Sequence, residues 1–82
     1  MSPIARGDLP HGCDQLTKQE MIAAINQAGM GAENEKIAQL YYIDRLPQVD
    51  VAAEMLLGRA TIQRRLPMIK SKMEIAAKRL MH

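Results

Sequence analysis

The amino-acid sequence predicts an all-α fold, and three observations carry that expectation. Hydrophobic residues make up 48% of the chain, yet they are mainly Ala, Leu, Ile and Met, with Tyr41 and Tyr42 as the only aromatics. Ala, Met, Leu, Gln, Glu and Lys favour helices, whereas β-branched and aromatic residues are too few for a sheet. Apolar residues also recur at three- and four-residue intervals. At 82 residues the chain makes one domain. We expect a compact, four- to five-helix domain that closes on a C-terminal basic amphipathic helix. A core with seven Met and neither Phe nor Trp packs through flexible side chains, so the monomer should be modestly stable and completed by association.

Taken in order, residues 1–16 hold Gly and Pro without periodicity and read as a flexible N-terminal tail ahead of one helical domain over 17–82. Thr17-Lys18-Gln19-Glu20 matches the capping box, in which hydroxyl and carboxylate each satisfy an orphan N–H. The first helix runs from there to about Ala28, with Met21, Ile22, Ile25 and Ala28 on one stripe. Gly29-Met30-Gly31 ends it. A second helix spans roughly Ala32 to Leu46, with Glu33 and Glu35 at its positive end and Arg45 in its last turn. Ile37, Leu40, Tyr41 and Asp44 share a face, widened by Ile43. Pro47 forbids continuation but fits the first turn of a third helix, which reaches Met55 or Leu56. The fourth begins near Gly58. Pro67 then requires either a stop near Leu66 or a kink in a longer helix. The last segment, about 68–81, is helical, with Ile69, Met73, Ala76, Ala77 and Leu80 aligned.

Charge divides the chain unequally. Arg59 to His82 carry seven Lys/Arg and one acid (Glu74), whereas the first 58 residues carry four Lys/Arg and eight acids. The net charge of +2 hides this split. So lopsided a field directs one face toward a polyanion.

The sign changes at Leu57-Gly58-Arg59, where the stretch from Gln48 to Leu66 reads as a helix-turn-helix over about 47–66. Two helices crossing through a short turn need a small residue at closest approach, here Ala52, and apolar residues between them: Val51, Met55, Leu57, Ile62 and Leu66. Together with Tyr41-Tyr42-Ile43-Asp44-Arg45-Leu46, the unit resembles the DNA-reading fourth region of bacterial sigma factors and the related response-regulator domains. Val51-Ala52, Met55, Leu57, Thr61-Ile62 and Arg65-Leu66 stand at the matching steps, and the resemblance covers about Ile37 to Leu66. Leu56 replaces the usual turn Gly, which demands a different or a strained turn. Gly58 replaces the usual Ser cap, and Pro47 the Ser that often starts the scaffold helix.

The helix-turn-helix reading places Arg59, Ala60, Gln63 and Arg64 outward on the recognition helix. Arg59 and Arg64 are the candidates to read guanine, and Gln63 to read adenine or hold a phosphate. Thr61 joins the DNA-binding set, although such a residue more often packs or bonds locally. Arg65 and Lys70 are expected as phosphate clamps, and the N–H groups near Gln48 hold another phosphate. Self-association is expected through Met68, Ile69, Met73, Ile75, Ala76 and Leu80, against the alternative that this helix merely closes the core.

The expected protein is a small sequence-specific duplex-DNA-binding transcriptional regulator, acting as a homodimer in the cytoplasm of a bacterium or serving a phage, with RNA polymerase or another transcription protein as a further partner. The alternative is a protein-interaction module, such as an antirepressor, an anti-sigma-like or an assembly factor, whose basic C-terminal helices bind an acidic protein. Nucleophile, base and orienter spacings are absent, as is a phosphate-cradling Gly-rich loop, so no enzyme is expected. No cofactor is expected, and no metal: His11, Cys13 and Asp14 are metal-capable but lack a second cluster. Cys13, the lone cysteine, offers no disulfide. No apolar run approaches the length that crosses a membrane.

Overall fold

The computed structural model describes residues 16–80. The tail expected over 1–15, with His11, Cys13 and Asp14, lies outside them, as do Met81 and His82. Four α-helices succeed one another: α1 (Lys18–Gln27), α2 (Ala32–Ala38), α3 (Gln48–Met55) and α4 (Arg59–Leu80). A π-helical turn, Gln39–Ile43, extends α2. Among the described residues there is no strand.

The capping box forms at the start of α1. Thr17 N–H donates to Glu20 Oε1 at 3.0 Å, and Glu20 N–H donates to Thr17 Oγ1 at 3.1 Å. Hydrogen bonds donated to its carboxylate, from the Thr17 backbone N–H first and the Thr17 hydroxyl second, hold the Glu20 carboxyl below its usual pKa. Leu16, read from sequence as the end of the tail, packs against the core one residue before the cap, where a hydrophobic staple sits. Gly29 (φ 64°) and Gly31 (φ 93°) then take the left-handed conformations the turn requires.

The second helix is not the single α-helix expected to reach Leu46. Its last turn widens, and Asp44 N–H reaches back five residues to the Gln39 carbonyl at 2.9 Å. The extra residue in this turn rotates the helix beyond it, so Tyr42 is buried beside Ile37 and Ala38, while Tyr41 is only half-buried. The face expected to hold Tyr41 and Asp44 therefore shifts, and Asp44 is exposed. The two rings meet edge to face, with centroids 4.9 Å apart. Arg45 turns the chain in a left-handed conformation (φ 59°), and Leu46 N–H closes onto the Leu40 carbonyl at 3.0 Å.

The α3–α4 connection occupies residues 56–58. Leu56 N–H donates to the Ala53 carbonyl at 3.2 Å and Leu57 N–H to the Ala52 carbonyl at 2.9 Å, which is the Schellman pattern. This pattern needs a left-handed residue where glycine is usual, and Leu56 supplies it at φ 56°, ψ 38°. The glycine-type turn is thus kept with leucine in it, at a cost of roughly 1–2 kcal/mol.

α4 runs on through Pro67, so of the two alternatives, a stop near Leu66 or one longer helix, the longer helix forms and the segment expected over 68–81 is its second half. Pro67 is exposed, and its ring lies on the solvent side. It has no N–H for the Gln63 carbonyl, which solvent can reach there. The inner face of α4, with Ile62, Leu66, Ile69, Met73, Ala76 and Ala77, packs on α1, α2 and α3. Ile25, Ile37 and Val51 complete the centre, and the described core holds no buried polar residue.

Candidate nucleic-acid interface

The α3–α4 pair positions the candidate site. Val51, Ala52, Ile62 and Leu66 are buried between the helices, with Met55 and Leu57 partly buried beside them. That packing leaves the opposite side of the first turns of α4 in solvent. Arg59, Ala60, Gln63 and Arg64 are all exposed, and the first turn of α4 carries no acid. Gly58 begins the helix without a side chain to cap it, while its carbonyl accepts from Thr61 N–H at 3.0 Å and Ile62 N–H at 3.2 Å. Thr61 is half-buried in that turn, the local role such a residue usually takes.

A groove runs along one flank of α4. Its larger part, about 370 Å³, is lined by Tyr41, Tyr42, Gln48, Gln63, Leu66, Pro67 and Lys70. A second hollow of about 300 Å³ is lined by Tyr41, Pro47, Gln48, Val49 and Arg59. The two share Tyr41 and Gln48, so four residues expected to touch DNA (Gln48, Arg59, Gln63 and Lys70) line one continuous surface. No carboxylate lines either part. Asp50 stands nearby in the first turn of α3, where it complements the helix dipole and competes with any anion placed at those N–H groups.

Gln48 has a further feature. Its Oε1 is buried and lacks a donor, the one such side-chain atom among the described residues. An unpaired buried acceptor costs on the order of 1–3 kcal/mol until water or a ligand donates to it.

Arg65, expected as a phosphate clamp, faces the other way. Its Nη1 pairs with Glu33 Oε1 at the start of α2 and reaches Asn34 Oδ1 at 3.4 Å. The side chain is 33% exposed and ties α4 to α2, and it does not line the groove. The reason is helical phase: Arg59, Gln63 and Lys70 stand on one flank, Arg65 and Lys72 on the other, and Arg64 between them on the outer face.

The expected dimer seam divides similarly. Ile69, Met73 and Ala76 are buried in the chain's own core, and Leu80 is half-buried. Met68 and Ile75 are exposed. The seam therefore closes the monomer, and only its outer neighbours are open to a partner.

The sequence reading missed Tyr41 as a groove residue, because it set Tyr41 on the same face as Ile37 and Leu40. A five-residue hydrogen-bond step has no compositional signature, so nothing in the sequence showed which ring would turn outward. No group of three or more His, Cys, Asp or Glu among the described residues could hold a metal ion. No described helix is long and apolar enough to cross a membrane. No family model matches this chain, and neither a curated protein nor a solved structure matches it.

Proposed function

We propose that this chain binds duplex DNA through the first turns of α4 and regulates transcription by occupying its site in the cytoplasm of a bacterium or phage host. The observation that carries this reading is the acid-free groove that gathers Gln48, Arg59, Gln63 and Lys70, with exposed Arg64 beside it. Arg59 and Arg64 take guanine edges, each a two-bond fork, and Gln63 reads adenine or a phosphate. Lys70 meets the backbone about two turns further along the same flank. The N–H groups at the start of α3, near Gln48, hold another phosphate. In this reading Arg65 is a strut and contacts no DNA. Self-association sets copies on neighbouring sites along the duplex, and RNA polymerase or another transcription protein is the natural further partner.

The test is a selection from random duplexes and then a gel shift at low salt. A selected duplex is retained by the wild-type chain, and Arg59→Glu/Arg64→Glu abolishes retention without loss of helicity. Absence of any shift with any duplex contradicts the proposal. The second reading, a protein-interaction module, is favoured by one observation: Leu56 is 91% exposed. Capture of a partner that survives the double charge reversal but fails with Leu56→Asn would select it.

A further inference from the structure

Two apolar helix faces lie outside the packed core. On α3, Val49 is 58% exposed, and Leu56, seven residues on and just past the end of the helix, is exposed almost completely. Exposed Ala53 lies between them, and the exposed carboxylates of Asp50 and Glu54 line the other edge. On the second half of α4, Met68 and Ile75 are again seven residues apart, 40% and 53% exposed, with exposed Ser71 between them. Arg64, Lys72, Lys78 and Arg79 surround that pair.

The two faces match. Seven residues of α-helix advance about 10 Å between Met68 and Ile75, and Val49 and Leu56 are also seven residues apart, with Leu56 just past the last turn of α3. Each face has a small residue at its centre, which allows close approach of helices. One edge is acidic and the other basic. Because α3 and α4 already pack on each other through their inner sides, the outward faces of one chain point apart. A second copy can bring them together.

We infer that copies of this chain associate head to tail, with the acidic outer face of α3 on one copy receiving the basic outer face of α4, around Met68 and Ile75, on the next. Leu56 fits this arrangement better than it fits a lone chain. Glycine would suit its backbone and a polar side chain would suit water, whereas leucine suits an apolar neighbour. With two large apolar side chains on each side the contact is small, so association is weak and salt-sensitive. Such an interface is not two-fold, and it continues from copy to copy unless the rotation closes. The inference shares Val49 and Arg64 with the DNA reading but does not rest on it, and it is tested without DNA.

The experiment is sedimentation equilibrium of the full chain from micromolar to millimolar concentration. The wild-type mass rises past that of a dimer and falls back with added salt. Glu54→Lys/Leu56→Asn removes the α3 half, and Met68→Gln/Ile75→Gln removes the α4 half. Asn accepts the left-handed conformation and Gln is a good helix former. Each variant alone associates at least tenfold more weakly. Their equimolar mixture forms a heterodimer and nothing larger, because each retains one intact half. If circular dichroism shows that either double variant has lost helicity, Ala53→Lys and Ser71→Lys, at the centres of the faces, give the same mixing test. A wild-type chain that stays monomeric overturns the inference, as does a mixture that stays monomeric. So does a dimer that survives the α3 substitutions, which would place the contact in a symmetric α4 pair.

Discussion

Arg64 and Arg65 are adjacent on one helix and do opposite things. Arg64 stands in solvent on the outer face of α4, next to the acid-free groove that holds Arg59, Gln63 and Lys70. Arg65, one residue on, is turned toward α2 and paired with Glu33. The difference teaches that a basic tract is not a uniform binding surface. The flank of α4 against the acidic first turn of α2 uses its cation to hold the fold together, and the flank without acids keeps its cations available.

Four experiments break or sharpen this contrast, from the largest effect to the smallest. Pro67 lies in the groove wall and leaves the Gln63 carbonyl without its helical donor. Pro67→Ala restores that bond and should raise stability by about 2 kcal/mol, or roughly 10 °C in thermal melts. An unchanged melting temperature would mean that the helix is already relaxed around the proline. Next, Arg64→Ala should weaken duplex binding at least tenfold, about 1.4 kcal/mol, with no change in the melt. The same substitution at Arg65 should leave affinity within about threefold, so equal losses at both positions would erase the contrast. Leu56→Gly removes the left-handed strain and should add about 1 kcal/mol in urea unfolding, whereas a destabilised variant would show that the leucine side chain supports the monomer. The smallest effect belongs to Arg65 and Glu33. Both are substantially exposed, so a double-mutant cycle should give a coupling under about 1 kcal/mol. A value above that would make the pair central to stability.

Much of the fold was legible in the sequence because local chemistry dictated it. The Thr17–Glu20 box and the glycines at 29 and 31 act within a few residues of themselves, and both formed as read. The Ile69–Met73–Ala76–Ala77 stripe likewise obeyed simple periodicity. What was not legible depends on backbone steps that composition does not encode. The π turn rotated Tyr42 inward and Tyr41 into the groove wall. Pro67 was tolerated because its ring lies in solvent, a fact of burial that the pattern alone does not give. In the candidate site, exposure came from the apolar spacing for Arg59, Gln63 and Arg64. The loss of Arg65 from it did not, since Glu33 lies 32 residues away and meets it only after α2 docks on α4.

The central claim is that Arg59, Arg64 and Lys70 supply the cations that meet DNA. The salt dependence of duplex affinity counts the phosphate-bound cations directly, because each neutralised phosphate adds about −0.9 to the log–log slope, whereas base-reading side chains carry the sequence preference. The account gives a slope reduced in magnitude by roughly one in Lys70→Ala and unchanged in Arg65→Ala. A slope that drops in Arg65→Ala, or one that Lys70→Ala leaves intact, would contradict it.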